Sequence, residues 1–264
     1  MGMRTRGWVL ALVVALGVRI LPAQRAAEEH QVTVAAAADL LTALKEIAAA
    51  YQKRTGVEVK LSLGSSGALT QQMENGAPFD VFFSADTDYP TRLIKGGYAD
   101  GSTLYRYAIG RVVLWVPQDS PLDPAKDEIK ILMDPSVKKI SIANPTQAPY
   151  GRAAVAVLQH YSMYEKVSGR LVMGENVAQA AQFVESGNAQ AGFVAFAHVL
   201  APEMKGKGKY WLVPADAYPP LDQSAVVLSH AVHAEDARRF LDYMKTMEAV
   251  AILTRYGFEP RAGK

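Results

Sequence analysis

The chain has 264 residues, with 28 Lys and Arg against 26 Asp and Glu, a formal net charge of +2 and no cysteine. Without a thiol there is no disulfide staple, no thiolate zinc site, no cysteine nucleophile and no lipidated cysteine, so stability must come from a packed core. The near balance of charge leaves no basic patch for nucleic acid, and the length suits one large or two modest domains.

The first residues read as an address. Arg4 and Arg6 form a basic start, residues 8–18 are an uncharged apolar run too short to span a bilayer, and small residues follow at Ala23, Ala26 and Ala27. This pattern predicts a cleavable secretory signal over 1–27, cut within 23–27. The segment holds Arg4, Arg6, Arg19 and Arg25 and no acid, so its removal leaves a balance of about −2 against the +2 of the whole chain.

From residue 32 onward, apolar runs rich in β-formers alternate with helical patterns. Strands are predicted over 32–36, 57–63, 81–84, 112–116, 140–143, 192–196 and 225–229. Several are near-continuous apolar runs, as expected of parallel strands covered on both faces. Over 40–51, Leu40, Leu41, Leu44, Ile47, Ala48 and Tyr51 recur at the spacing of a core-facing helix. Val155, Leu158 and Tyr161 do the same over 152–161. The alternation predicts an α/β fold with mainly parallel sheets. Residues 117–135 are turn-rich and polar, a surface connection that opens a second lobe.

Helices start where these strands stop. Strand 32–36 runs through Ala37, Ala38 and Asp39 into a helix, and strand 57–63 through Gly64, Ser65, Ser66 and Gly67 into another. Strand 140–143 leads through "NPTQAPYG" (144–151), and "GENVAQAAQFVESG" (174–187) offers Asn176 as the N-cap of a helix from Val177. In open α/β sheets, ligands bind beyond the carboxyl ends of strands. A helix start exposes up to four unpaired N–H groups and about half a positive charge. Between glycines that let the backbone come close, two serines add hydroxyl donors, and together they form a nest for an oxyanion without a cationic side chain.

Two other readings of Ser66 stand beside that one. Its hydroxyl can cap the helix, or it can be a nucleophile. The hydrolase elbow needs Gly-x-Ser-x-Gly, and here the second glycine falls one residue early. His30, His160, His198, His230 and His233 show no triad order.

The strings "VTVAAAADLLTALKEIAAAYQKRTGVEV", "GSSGALTQQMENGAPFDVFFSAD", "NPTQAPYGRAA" and "RYGF" resemble the periplasmic molybdate-binding proteins of ABC importers, in one order over 31–258. "GAPFDVFFSAD" and "APYGRAA" are the most specific, because generic α/β geometry does not demand them. The resemblance implies a two-lobed type II periplasmic binding protein, each lobe a mainly parallel sheet flanked by helices, with the ligand in the interlobe cleft. It implies a discontinuous first lobe of 31–112 plus 225–264, a second lobe of 113–224, and crossings near 112–116 and 225–229. It further implies capture of molybdate or tungstate in the periplasm by a monomer, delivery to a membrane permease, no catalysis, no cofactor and no nucleic acid. The metal is then held only as its oxyanion.

Residue by residue, Ser66 matches the family's serine that offers both N–H and hydroxyl. Asp39, beside Ala38, falls where many members carry Ser and some Asn. Tyr150 in "PYG" and Val177 at a helix start match positions that offer main-chain N–H groups. A tyrosine that another subgroup uses falls at Ala195 and is absent here. Asp39 is the awkward residue, since a carboxylate repels a dianion. It is expected to be the N-cap of helix 40–51, its carboxylate turned onto first-turn amides. The alternative has that carboxylate accept a proton from an anion such as hydrogen phosphate, which keeps phosphate or sulfate open as ligands. A secreted serine hydrolase using Ser66 is the third possibility. Arg152, the nearest cation to "PYG", is expected to face solvent.

Overall fold

Short apolar strands carry the chain into two sheets. The computed structural model describes residue 2 and residues 30–261, so the predicted signal lies, apart from Gly2, outside the described residues. The first strands are β1 (Gln31–Ala37), β2 (Glu58–Gly64), β3 (Val81–Ser84) and β4 (Tyr105–Gly110). Then come β5 (Val112–Pro117), β6 (Ile140–Ala143), β7 (Leu171–Gly174), β8 (Ala191–Ala195) and β9 (Gly208–Leu212), followed by β10 (Leu221–Val227) and β11 (Glu259–Pro260). The longer helices are α1 (Leu41–Thr55), α2 (Ser66–Glu74), α3 (Asp88–Lys95), α4 (Pro149–His160), α5 (Val177–Glu185), α6 (Ala234–Tyr243) and α7 (Met247–Arg255).

The first sheet runs β11-β4-β10-β3-β1-β2 and the second β7-β6-β8-β5-β9. Each has a parallel core, β2-β1-β3 in one and β7-β6-β8 in the other. The strands nearest the crossings extend these cores with antiparallel pairs. The architecture is the expected two-lobed α/β fold. β4, β7, β9 and β11 were not among the predicted strands.

Helices cover both faces of both sheets. In the first lobe α1, α6 and α7 pack Leu44, Ile47, Phe240 and Leu253 on one face. Leu69 of α2 and Leu93 of α3 pack against Phe82 on the other. In the second lobe α4 sets Val157 and Leu158 on one face, and α5 sets Ala181 and Val184 against Trp115 on the other. The α1 helix shows why the sequence folds this way. Its buried stripe is Leu44, Ile47, Ala48 and Tyr51, Lys53 and Arg54 complement the dipole in its last turn, and Gly56 ends it at φ 77°.

The chain changes sheet at Arg111, between β4 and β5, and returns over 213–220. The predicted crossing 112–116 begins just after Arg111, in β5, whereas the predicted return at 225–229 falls at the far end of β10, past the observed return over 213–220. Arg111 ties the two passages together. It donates to Val213 O at 3.2 Å and Tyr218 Oη at 3.3 Å, and pairs with Glu259.

The lobes also meet across the cleft. Gly67 N–H donates to Gln147 O at 2.8 Å, and Tyr89 Oη–H donates to the same carbonyl at 3.3 Å. Arg152 does not simply face solvent as expected. It reaches from α4 to an ion pair with Asp86, with its guanidinium 5.4 Å from the Tyr89 ring centre. Gly67 also has a different job from the one expected, since its bare backbone admits the other lobe rather than a ligand. A Cβ there stands 2.5 Å from Tyr89 Oη and 2.8 Å from Gln147 O. Gly67→Ala is therefore expected to part the lobes and cost about 1–3 kcal/mol. Small-angle scattering reads the first effect as a larger radius of gyration, and urea unfolding reads the second.

Candidate functional site

Four chain segments converge where the lobes face each other. The turn at Ala38 and Asp39 and the start of α2 come from the first lobe, and the starts of α4 and α5 from the second. With Ala85 they line a cavity of about 10 Å³, the space of roughly one water molecule. No Lys, Arg or His is among its lining residues.

At α2 the two serines divide the work. Ser65 is the N-cap, its Oγ accepting from Ala68 N–H at 3.4 Å. Ser66, read as a possible cap, is instead the first helical residue and fully buried. Its Oγ accepts the Ala85 N–H at 3.0 Å. With an acceptor lone pair thus engaged, the Ser66 hydroxyl keeps its hydrogen to donate, and it has no acceptor among the described residues. No histidine lines the cavity beside it, and no hydrogen bond joins this hydroxyl to an imidazole among the described residues. Among the described residues no Ser-His pair forms at this serine.

The other two helix starts follow one logic. At α5 the Asn176 Oδ1 accepts from Ala178 and Gln179 N–H, both at 3.0 Å, which leaves the Val177 N–H without an acceptor among the described residues. At α4 Pro149 occupies the first position and has no N–H to satisfy, so Tyr150 supplies the first amide. At α2 the Gly67 and Ala68 amides are used by Gln147 and Ser65, which leaves that of Ser66. At each start the amides further in have protein acceptors, from a cap at α5, from Gln147 and Ser65 at α2 and from the Ala148 carbonyl at α4, and the amide of a residue that lines the cavity has none among the described residues. Ala195, the position of the missing tyrosine, ends β8 fully buried.

Asp39 departs from expectation. The N-cap position of α1 is Leu40, and no side chain caps that helix. The Asp39 carboxyl is held instead by β10, where Oδ2 accepts from Gln223 Nε2, and Oδ1 has no hydrogen-bond partner among the described residues. Sequence reading missed Gln223 and Tyr107. Tyr107 Oη–H donates to Gln223 Oε1 at 2.8 Å, which fixes the amide so that its NH₂ faces Asp39. The same NH₂ lies 3.4 Å from Tyr150 Oη. A lone amide inside a buried strand was the available signal, because such a group must find a partner.

Burial raises the Asp39 carboxyl from 3.8 to about 6, and the Gln223 amide, the nearby Tyr150 hydroxyl and the main-chain N–H groups of Asp39 and Leu40 offset only part of this. The folded chain therefore binds this proton more tightly than the unfolded chain, and stability falls as pH rises from about 4 to about 6. The loss above that window is on the order of 3 kcal/mol. Asp39→Asn, which keeps an acceptor for Gln223, is expected to be more stable than the parent at pH 7.5 and equal to it near pH 4. Urea unfolding at the two pH values checks this, and a difference independent of pH refutes it.

Residues 32–259 match the family model for bacterial extracellular solute-binding protein. The molybdate-binding protein ModA of Azotobacter vinelandii is 40% identical over 247 residues, which span 94% of this chain and 96% of that protein. ModA of Rhodobacter capsulatus is 38% identical over 257 residues, spanning 97% and 96%. A solved structure of the Azotobacter vinelandii periplasmic molybdate-binding protein superposes with a TM-score of 0.82 at 36% identity, covering 88% of this chain and 100% of that one. On the match over nearly all its described residues, this chain belongs to the bacterial extracellular solute-binding protein family.

Proposed function

We propose that this chain is the substrate-binding component of an ABC importer, which captures molybdate or tungstate in the periplasm and delivers it to a membrane permease. The observation that carries the reading is the Ser66 hydroxyl, whose oxygen is taken by Ala85 N–H and whose hydrogen is left for an acceptor in a cation-free cavity. The main-chain amides of Ala38, Asp39, Ser66, Tyr150 and Val177 complete the donor set. The metal is held through its oxygens alone, with no cofactor and no catalytic step. The protein acts as a monomer and does not engage nucleic acid. Relatives named for molybdate binding, at 38% and 40% identity, support the choice of anion.

Hydrogen bonds to a charged acceptor contribute about 1.5–3 kcal/mol each, so five or six give on the order of 8–18 kcal/mol. Association costs about 4–15 kcal/mol. The difference reaches the roughly 8–12 kcal/mol of micromolar to nanomolar binding. Donors from both lobes make the bound anion favour the closed cleft, with Arg111 and 213–220 as the hinge between a lobe of 31–110 plus 221–261 and a lobe of 112–212. A small cavity lined by donors favours a fully deprotonated tetrahedral anion, and sulfate, being smaller, leaves those donors stretched.

Calorimetric titration with molybdate, tungstate, sulfate and phosphate tests the reading. Molybdate and tungstate are expected to bind far more tightly than the other two, and a preference for phosphate overturns it. Ser66→Ala is expected to weaken molybdate binding roughly ten- to hundredfold, while an unchanged affinity removes the hydroxyl from the donor set. A serine-directed acylating probe is expected to leave the chain unlabelled.

A further inference from the structure

The cavity assigned to the anion also contains a carboxyl group. Asp39 is 5% exposed, and no cationic side chain lines the space around it. An ionised carboxyl beside a dianion in a region of low dielectric costs more than one hydrogen bond contributes. A protonated carboxyl reverses the sign, because it becomes one more donor. The hydrogen-bond network already says where the proton goes. Tyr107 donates to Gln223 Oε1, Gln223 donates its amide hydrogen to Asp39 Oδ2, and Oδ1 is left without a partner. Oδ2 is thus held as an acceptor, and Oδ1 is the oxygen able to carry a hydrogen.

Building on the function proposed above, we infer that molybdate capture is coupled to the uptake of one proton, with Asp39 as the residue that takes it and presents it to the anion. The proton leaves a buffer acid, an O–H bond forms at Asp39 Oδ1, and that hydrogen is donated to an oxygen of the dianion. Asp39 thereby determines specificity. Protonated, it favours an anion that only accepts, whereas ionised, it favours one that brings a hydrogen of its own.

The surrounding groups leave Asp39 as the one to titrate. Tyr150 of α4 and Tyr107 of β4 are held well above the ordinary tyrosine range by burial, with the Asp39 charge adding to it, so both stay neutral. Tyr218 lies behind them, bonded to Arg111 and the Val112 amide. Asp86 is paired with Arg152. On the helices packed against the 38–40 turn, Lys45 and Glu46 of α1 and the Glu185–His198 pair lie outside the cavity. Burial, partly offset by the hydrogen bonds around it, already holds Asp39 at about 6 before an anion adds its repulsion. Affinity should therefore fall about tenfold per pH unit above that value.

The test is calorimetry of molybdate binding at pH 7.5 in two buffers of different ionisation enthalpy, with affinities followed from pH 6.5 to 8.5. The parent chain is expected to take up about one proton per anion and to lose about tenfold in affinity per pH unit. Asp39→Asn and Asp39→Ser are expected to bind molybdate with no uptake and a flat profile. Tight binding by the parent without proton uptake overturns this inference and leaves the proposed function standing, as does a pH slope that persists in the Asn and Ser variants. Failure of the parent to bind molybdate at any pH overturns both.

Discussion

One hydrogen decides what Ser66 can do. Because its oxygen accepts the amide hydrogen of Ala85, its own hydrogen points toward whatever the cavity holds. Ala85 follows directly on β3, so the strand that forms the sheet also sets the polarity of the site. The remaining donors obey the same rule at other strand ends. Asn176 takes the inner amides at α5, Pro149 removes the first donor at α4, and Gln147 and Ser65 take those of Gly67 and Ala68 at α2, so one amide remains near each helix start. An anion site of this kind needs no lysine or arginine, since four partial positive helix ends and a few N–H groups share the charge. Sharing has a kinetic consequence. In the proposed donor set no single contact dominates, so parting the lobes would separate the Tyr150 and Val177 amides from the donors of Ala38, Asp39 and Ser66 and weaken the hold on the ion.

That parting is opposed by contacts outside the cavity. Gln147 O receives hydrogen bonds from both Gly67 and Tyr89, and Arg152 bridges to Asp86. These contacts use polar groups and a stacked guanidinium instead of a broad apolar seam, as suits an interface that must open again. Asp86 is itself held by Ser84 Oγ and the Tyr89 amide. The cross-lobe pair is therefore braced by the same strand end that positions Ser66.

Sequence periodicity revealed the strands that are buried on both faces, such as β1, β5 and β8, because their apolar runs leave few alternatives. β4, β7 and β9 escaped because their outer residues are exposed. Arg106 breaks the pattern in β4, Met173 is 54% exposed in β7, and Tyr210 and Leu212 are 36% and 37% exposed in β9. The helix starts of the site were legible for the opposite reason, since capping residues are local signals. Which of two adjacent serines caps was not legible, because the phase of the first turn depends on where Ala85 lies. The partner of Asp39 was out of reach altogether. Gln223 is 184 residues away, and only the return of β10 beside the first strands brings it near. A short-range rule assigned Asp39 to the helix, and a long-range contact claimed it.

That contact joins the site to the hinge. Gly110 precedes Arg111 at the crossing, and a Cβ there would stand 2.4 Å from Tyr150 Oη and 2.6 Å from Gln223 Nε2. The cluster holding Asp39 is thus packed onto the backbone where the chain changes lobes, with Tyr150 contributed by one lobe and Gln223 by the other. On the proposed opening of the cleft, Tyr150 would move away from Gln223 and water would reach the carboxyl. In water that group ionises at an ordinary carboxylate pKa. If the proton taken up on capture is lost at that step, the donor facing the anion becomes a negative charge, and the movement that loosens the ion also repels it.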